Sequence, residues 1–277
     1  CFCLLFCESY FLMKFPLLFF LFLSIYSLEI QLNDYLDYKS PFHPKVTTNG
    51  MVVSQNFESS EIGAQILTAG GNAVDAAVAV GFSLATTLPR AGNLGGGGFM
   101  LIYIKEKDEL FSIDYRSSSS LNSNLKDLFG SKSPIQIQED DYDLTKYSYK
   151  ASAVPGTVYG LLEAHERFGQ LSLKEVLKPV IDQAKRGIIV SYDLHNAIGS
   201  TSQLKQDPES NRIYFKDNKP LAIGSVMKRP DLAKTFEAIA KDGKKGFYEG
   251  WVAEKIYVHM KENGGFIDKY DLEQYAS

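Results

Sequence analysis

Hydrophobic and polar positions follow three successive rhythms along this chain. Met51-Val52-Val53-Ser54 is short and mostly apolar, which predicts a strand. From Ser59-Ser60-Glu61 the period lengthens, and Ile62, Ile66 and Leu67 fall on one face of a helix. Gly70-Gly71 stops that helix, and Asn72 caps the next. Residues Ala73 to Leu84 are apolar on every side, the signature of a helix buried all round. Its alanines allow close packing on a sheet. Phe99 to Ile104 and Leu110 to Tyr115 then read as two strands joined by the charged turn Lys105 to Glu109. Both are apolar on both faces, which predicts a sheet covered on both sides.

Beyond them the pattern turns helical. Ser117 to Lys132 is serine-rich and reads as a loop or frayed helix, and Glu139 to Asp143 as a solvated acidic loop rather than a cation site. Pro155 takes a first-turn position in a helix carrying Val158, Leu161 and Leu162. Ser172 and Glu175 form a capping box that opens a helix running to Arg186-Gly187. Ser191 opens another, to about Gln206, and Arg212 to Lys216 reads as a short strand. Helices follow from Pro230 to Lys241 and from Glu249 to Asn263, and Asp268 begins a last piece. No internal repeat or long linker appears. Few strands face many helices, so the sheet reads as incomplete and the chain as a piece of a larger protein.

Composition changes this picture at one place. The 277 residues are 45% hydrophobic and 22% charged with a net charge of -4, which gives no reason to expect nucleic acid or an anionic membrane as partner. The N-terminus differs. Met13-Lys14, the apolar run Phe15 to Leu23, and small Ser24 and Ser27 describe a secretory leader over residues 1–27, with Met13 as a candidate true start. An uncleaved membrane anchor is the alternative, because Cys1 to Leu12 is also largely apolar. An irregular arm, Leu28 to Asn49, precedes the body at residues 50–277. All three cysteines (Cys1, Cys3, Cys7) lie in the leader, so the remainder holds neither a disulfide nor a thiol nucleophile. A periplasmic or secreted location fits that usage.

The candidate chemistry is sparse. Gly95 to Gly98 stand between a helix and a strand, the reverse of the strand–glycine–helix order of phosphate loops, and no Gly-Lys-Ser/Thr follows. Two readings remain: tight packing of the loop, or a bare backbone wall beside an active site. Asp114-Tyr115-Arg116 closes a strand. Its arginine presents either a planar fork for a carboxylate or a surface ion pair, with Asp114 as structural partner or orienting group. The four histidines, at 43, 165, 195 and 259, show no metal-ligand spacing, so no metal is expected. His165 and His259 read as partly exposed helix-face residues. There is no Gly-x-Ser-x-Gly elbow. Ser117 to Ser120 read as a flexible loop in preference to a modification or ligand site.

Five ordered motifs together resemble the gamma-glutamyltransferase (gamma-glutamyltranspeptidase, glutathione hydrolase) family. They are Ser59 to Gly63 with Gly70 to Ala79; Pro89 with Ala91 to Met100; Asp114-Tyr115-Arg116; Val154 to Gly160; and Gly246 to Gly250 with Asn263 to Ile267 and Asp271-Leu272. The resemblance covers about residues 50 to 277, the N-terminal part of the family's large subunit. It implies an α/β (α+β) Ntn-hydrolase fold, a four-layer αββα sandwich, here incomplete. It also implies a precursor that cuts itself into two subunits. The freed N-terminal threonine of the small subunit attacks a gamma-glutamyl amide, with its own amine as base and backbone amides stabilising the oxyanion. Water or an amino acid then takes the acyl group, without metal or cofactor. The implied partners are small gamma-glutamyl compounds such as glutathione and the small subunit. That threonine is not among these residues, so no catalytic residue is assigned and the piece alone is expected to be inactive. Arg116 is the transferable site residue, the clamp on the substrate α-carboxylate. One departure stands beside it: Ser117 to Ser120 replace the Glu and Ala-Pro that usually follow the arginine. The alternatives are a related Ntn acylase of the cephalosporin-acylase type and a non-catalytic, truncated binding protein.

Overall fold

The apolar helix is the centre of the structure. In this computed structural model, which describes residues 46–130, 132, 136 and 147–275, it runs as α2 (Ala73–Thr87) beneath α1 (Phe57–Thr68). Asn72 caps α2 through a capping box with Asp75, as its sequence requires. Helices α4 (Thr157–Phe168) and α5 (Leu173–Arg186) pack on α2, and α8 (Pro230–Asp242) packs on α5. Val78, Ala79 and Phe82 of α2 are wholly buried, and the Phe82 ring meets Phe236 of α8 edge-on at 6.0 Å. Truncating so enclosed an aromatic ring to alanine costs about 3–5 kcal/mol.

Helix α1 starts earlier than its apolar pattern suggests. Asn56 is the cap and accepts the Ser59 N–H, while the Ser59 hydroxyl is buried against Ser83 and Thr87 at 2.8 Å each. Met51 to Ser54 form no strand and leave Met51 and Val53 exposed.

Strands β1 (Phe99–Ile104) and β2 (Glu109–Asp114) pair antiparallel, with Phe99 opposite Asp114 and Ile104 opposite Glu109. Alternation puts Ile102 and Ile113 into the core beside α2 and α4, and the Phe111 ring lies 4.9 Å from Phe168. The other face is not covered as its apolar character predicts. Phe99, Leu101, Tyr103 and Leu110 stand 64%, 73%, 58% and 68% exposed, because helices among the described residues pack on one side only.

The second half is the expected helical layer, with different boundaries. Pro155 precedes the cap, Gly156, instead of sitting in the first turn of α4. The helix expected from Ser191 to about Gln206 is shorter, α6 (Tyr192–Gly199) followed by a 3-10 turn (Ser202–Lys205), and α7 (Pro208–Tyr214) starts beyond it, capped by Asp207 with Pro208 in its first turn. The strand expected from Arg212 shrinks to β4 (Phe215–Lys216), paired with β5 (Lys219–Pro220) through Asp217 and Asn218, both at positive φ. Strand β3 (Ile188–Ile189) pairs with β6 (Val226–Met227) over a small core of their own with Val190, Leu194, Ile198 and Phe215. Helices α9 (Lys245–Tyr248), α10 (Gly250–Glu262) and α11 (Lys269–Gln274) complete the order. Short α3 (Leu125–Phe129) follows the serine run.

The chain divides into units Cys1–Asn49 and Gly50–Ser277, and everything above belongs to the second. The leader at residues 1–27 and the acidic loop Glu139 to Asp143 lie outside the described residues. No described helix is long and apolar enough to cross a membrane.

Candidate functional site

The β2 strand delivers Arg116 to the surface. The Asp114 carboxylate accepts the Arg116 backbone N–H at 2.9 Å, a turn lock typical of aspartate. The guanidinium itself is exposed and makes no hydrogen bond or ion pair with another described residue. Of the two sequence readings of Asp114, the ion-pair partner is therefore absent and the orienting group is present, acting on the main chain.

Between these two residues, Tyr115 turns inward onto glycine backbone. A side chain on Gly156 or Gly160 would overlap Tyr115, and a Cβ on Gly98 would come within 2.9 Å of its ring. At Gly97 a Cβ would overlap the Ser117 amide. None of Gly95 to Gly98 has a positive φ, so close approach of residues 115–117, and no unusual backbone conformation, explains the second half of the run. The Gly96 carbonyl accepts the N–H groups of Gly156 and Thr157 at 2.8 and 3.0 Å, which ties the start of α4 to the same glycines. The glycine run packs one segment on another, and that segment carries Arg116.

The serine run after Arg116 is bonded on both sides and is not the loose loop its composition suggests. Ser118 exchanges backbone hydrogen bonds with Val154 at 3.3 and 2.7 Å. Ser120 is buried and donates its hydroxyl to the Phe266 carbonyl at 2.9 Å. The Leu121 N–H donates to Asp271 at 2.8 Å, and the Asn122 amide to Asp268 at 2.9 Å.

Beneath the strand end lies a tyrosine cluster that sequence reasoning did not single out. Tyr248 donates its hydroxyl to the Pro155 carbonyl at 2.7 Å, and Tyr275 donates its own to the Arg116 carbonyl at 2.9 Å. Burial pushes the Tyr115 and Tyr248 phenols above their ordinary range. Burial, and then the Asp114 charge, does the same to Tyr275, so the Tyr248 and Tyr275 hydroxyls keep the protons they donate at neutral pH. Lys244 lies over the Tyr159 ring at 4.1 Å. Burial disfavours its charge, but Glu163 and Glu166, each at 2.8 Å, outweigh that and raise its pKa. Tyr159, Tyr248 and Asp271 all lay inside the recognised motifs; only their pairing across the chain was hidden.

The described histidines, His165, His195 and His259, do not join this site. His165 approaches the Leu171 carbonyl at 2.9 Å and buried Asp75 at 3.7 Å, and His259 meets the Tyr149 hydroxyl at 3.1 Å. Among the described residues no cluster of His, Cys, Asp and Glu could hold a metal ion.

Set against known proteins, residues 59–277 match the family model described as Gamma-glutamyltranspeptidase. The glutathione hydrolase proenzyme of Escherichia coli (strain K12) is 39% identical over 239 residues, which cover 85% of this chain and 40% of that protein. The acylase ACY 1 proenzyme of Pseudomonas sp. (strain V22) is 34% identical over 245 residues, 86% of this chain and 43% of that one. The crystal structure of Helicobacter pylori gamma-glutamyltranspeptidase superposes with a TM-score of 0.77 at 34% identity, over 84% of this chain and 66% of the other. The chain thus spans less than half the length of either curated relative.

Proposed function

The chain belongs to the gamma-glutamyltranspeptidase family, and we propose that it is part of a precursor whose mature enzyme cleaves the gamma-glutamyl amide of glutathione and related compounds. Its described residues form part of the α+β Ntn-hydrolase fold. One observation carries the reading: an exposed strand-end guanidinium, uncommitted among the described residues, on a peptide fixed by Asp114 and Tyr275. Such a fork accepts a carboxylate through two parallel hydrogen bonds. Arg116 grips the α-carboxylate and holds the amide at a fixed distance. A threonine contributed by sequence outside this chain attacks the amide carbonyl, the amine leaves, and the acyl group passes to water or an amino acid. The bare apolar face of Phe99, Leu101, Tyr103 and Leu110 is suited to cover by the small subunit cut from the same precursor. The leader at residues 1–27 directs the precursor to the periplasm or outside.

A second reading has its own support. The Pseudomonas acylase matches nearly as well, and Ser117 to Ser120 stand where the transferase pattern has Glu and Ala-Pro. The two readings separate on substrate. The product of the whole precursor gene, offered gamma-glutamyl-p-nitroanilide, releases p-nitroaniline if the transferase reading holds. Preference for acyl amides that lack an α-carboxylate establishes the acylase instead.

A further inference from the structure

We infer that Tyr275 is a positioning residue for the carboxylate clamp, fixing the Arg116 peptide through its hydroxyl; the inference rests on the functional reading above. The Arg116 peptide is held from both sides. Asp114, within the same strand end, takes its N–H at 2.9 Å, and Tyr275 donates to its carbonyl, also at 2.9 Å. With the peptide unit on each side of the Arg116 Cα held by one bond, the direction in which the side chain leaves the backbone is fixed as well. The guanidinium, which has no partner of its own among the described residues, inherits its position from these two bonds.

Tyr275 is itself firmly seated. It is 8% exposed, stacks on Tyr248 with ring centres 5.8 Å apart and planes 3° from parallel, and meets Tyr159 edge-on at 5.6 Å. A Cβ on Gly156 would overlap its hydroxyl, so that glycine makes room for the bond. The segment that leads into Tyr275 grips the far end of the same loop. The Phe266 carbonyl accepts from Ser120, Asp271 accepts the Leu121 N–H, and Asp268 accepts from Asn122. Residues 266–275 thus clasp 116–122 at both ends, and the clasp is made of hydrogen bonds while the substrate-facing arginine is left exposed.

A phenylalanine at 275 keeps both ring contacts and removes only the hydroxyl, so a structural role and a positioning role separate. In the enzyme matured from the whole precursor, Tyr275→Phe raises KM for gamma-glutamyl-p-nitroanilide about threefold to tenfold, the range of one neutral hydrogen bond, with kcat within about twofold. With 4-aminobutanoyl-p-nitroanilide, the same donor without its α-carboxylate, the substitution changes nothing. In an Arg116→Ala background it adds no further loss. The melting temperature falls by no more than about 4 °C. An unchanged KM, an equal loss on both donors, or a loss that adds to that of Arg116→Ala overturns the inference while leaving the function in place. A wild-type enzyme without activity on the gamma-glutamyl donor overturns the functional reading, and the inference with it.

Discussion

Asp114 and Arg116 are joined through the main chain and not through their charges: the aspartate carboxylate accepts the arginine backbone N–H at 2.9 Å. What this contact needs at position 114 is an acceptor. Asp114→Asn therefore keeps KM for a gamma-glutamyl donor within about threefold, because the amide oxygen still accepts, whereas Asp114→Ala raises it further. Equal damage from both substitutions, read by steady-state kinetics, would mean that the charge acts directly on the guanidinium.

The four glycines separate into two kinds. A Cβ on Gly96 meets nothing closer than 3.6 Å, while one on Gly97 overlaps the Ser117 amide. In urea unfolding, Gly96→Ala is tolerated within about 1 kcal/mol and Gly97→Ala loses about 2 kcal/mol or more. Comparable losses at both positions would show that close approach is not what the run provides.

Asp75 carries more than its capping role. It is fully buried and accepts backbone N–H groups from Asn72, Gln170 and Leu171, at 3.0 to 3.2 Å. It thereby fastens the start of α2 to the chain leaving α4. Asp75→Ala strands three donors and costs about 3 kcal/mol or more, as hydrogen bonds to charged groups are the costly ones to lose. Unfolding free energies within about 1 kcal/mol of wild type would remove Asp75 from the structural account.

The tyrosine cluster sets an alkaline limit. Tyr115, Tyr248 and Tyr275 all titrate above the ordinary phenol value of 10.0 in the folded chain. A raised folded pKa gives stability that is complete below the unfolded value and is lost as pH rises beyond it, when the unfolded chain ionises and the folded one resists. Unfolding free energy measured from pH 8 upward is accordingly flat to about pH 10 and then falls. Tyr275→Phe makes that fall shallower. An identical alkaline limb in the variant would place the cause elsewhere.

Much of this architecture was legible because local signals dominate it. Asn72 caps its helix and Ser172 with Glu175 forms a capping box, as expected, while the first strand keeps its expected limits and the second begins and ends one residue before Leu110 to Tyr115. Asp207-Pro208 also carried a readable start signal, which opens α7 where a strand from Arg212 was expected. Burial was harder to read. Apolar residues on both faces of β1 and β2 say that both want covering, not that both are covered within the described residues. At the site, the motif located Arg116, but its support from Tyr275 crosses the length of the body, and no periodicity encodes such a contact.

The most direct test concerns Arg116 itself. In the enzyme matured from the whole precursor, KM for a gamma-glutamyl donor should rise about a hundredfold in Arg116→Ala, while self-cleavage into two subunits stays intact. Arg116→Lys should recover only part of the loss, since a point charge cannot make both bonds. An unchanged KM in Arg116→Ala would remove the arginine from the substrate site and contradict the account at its centre.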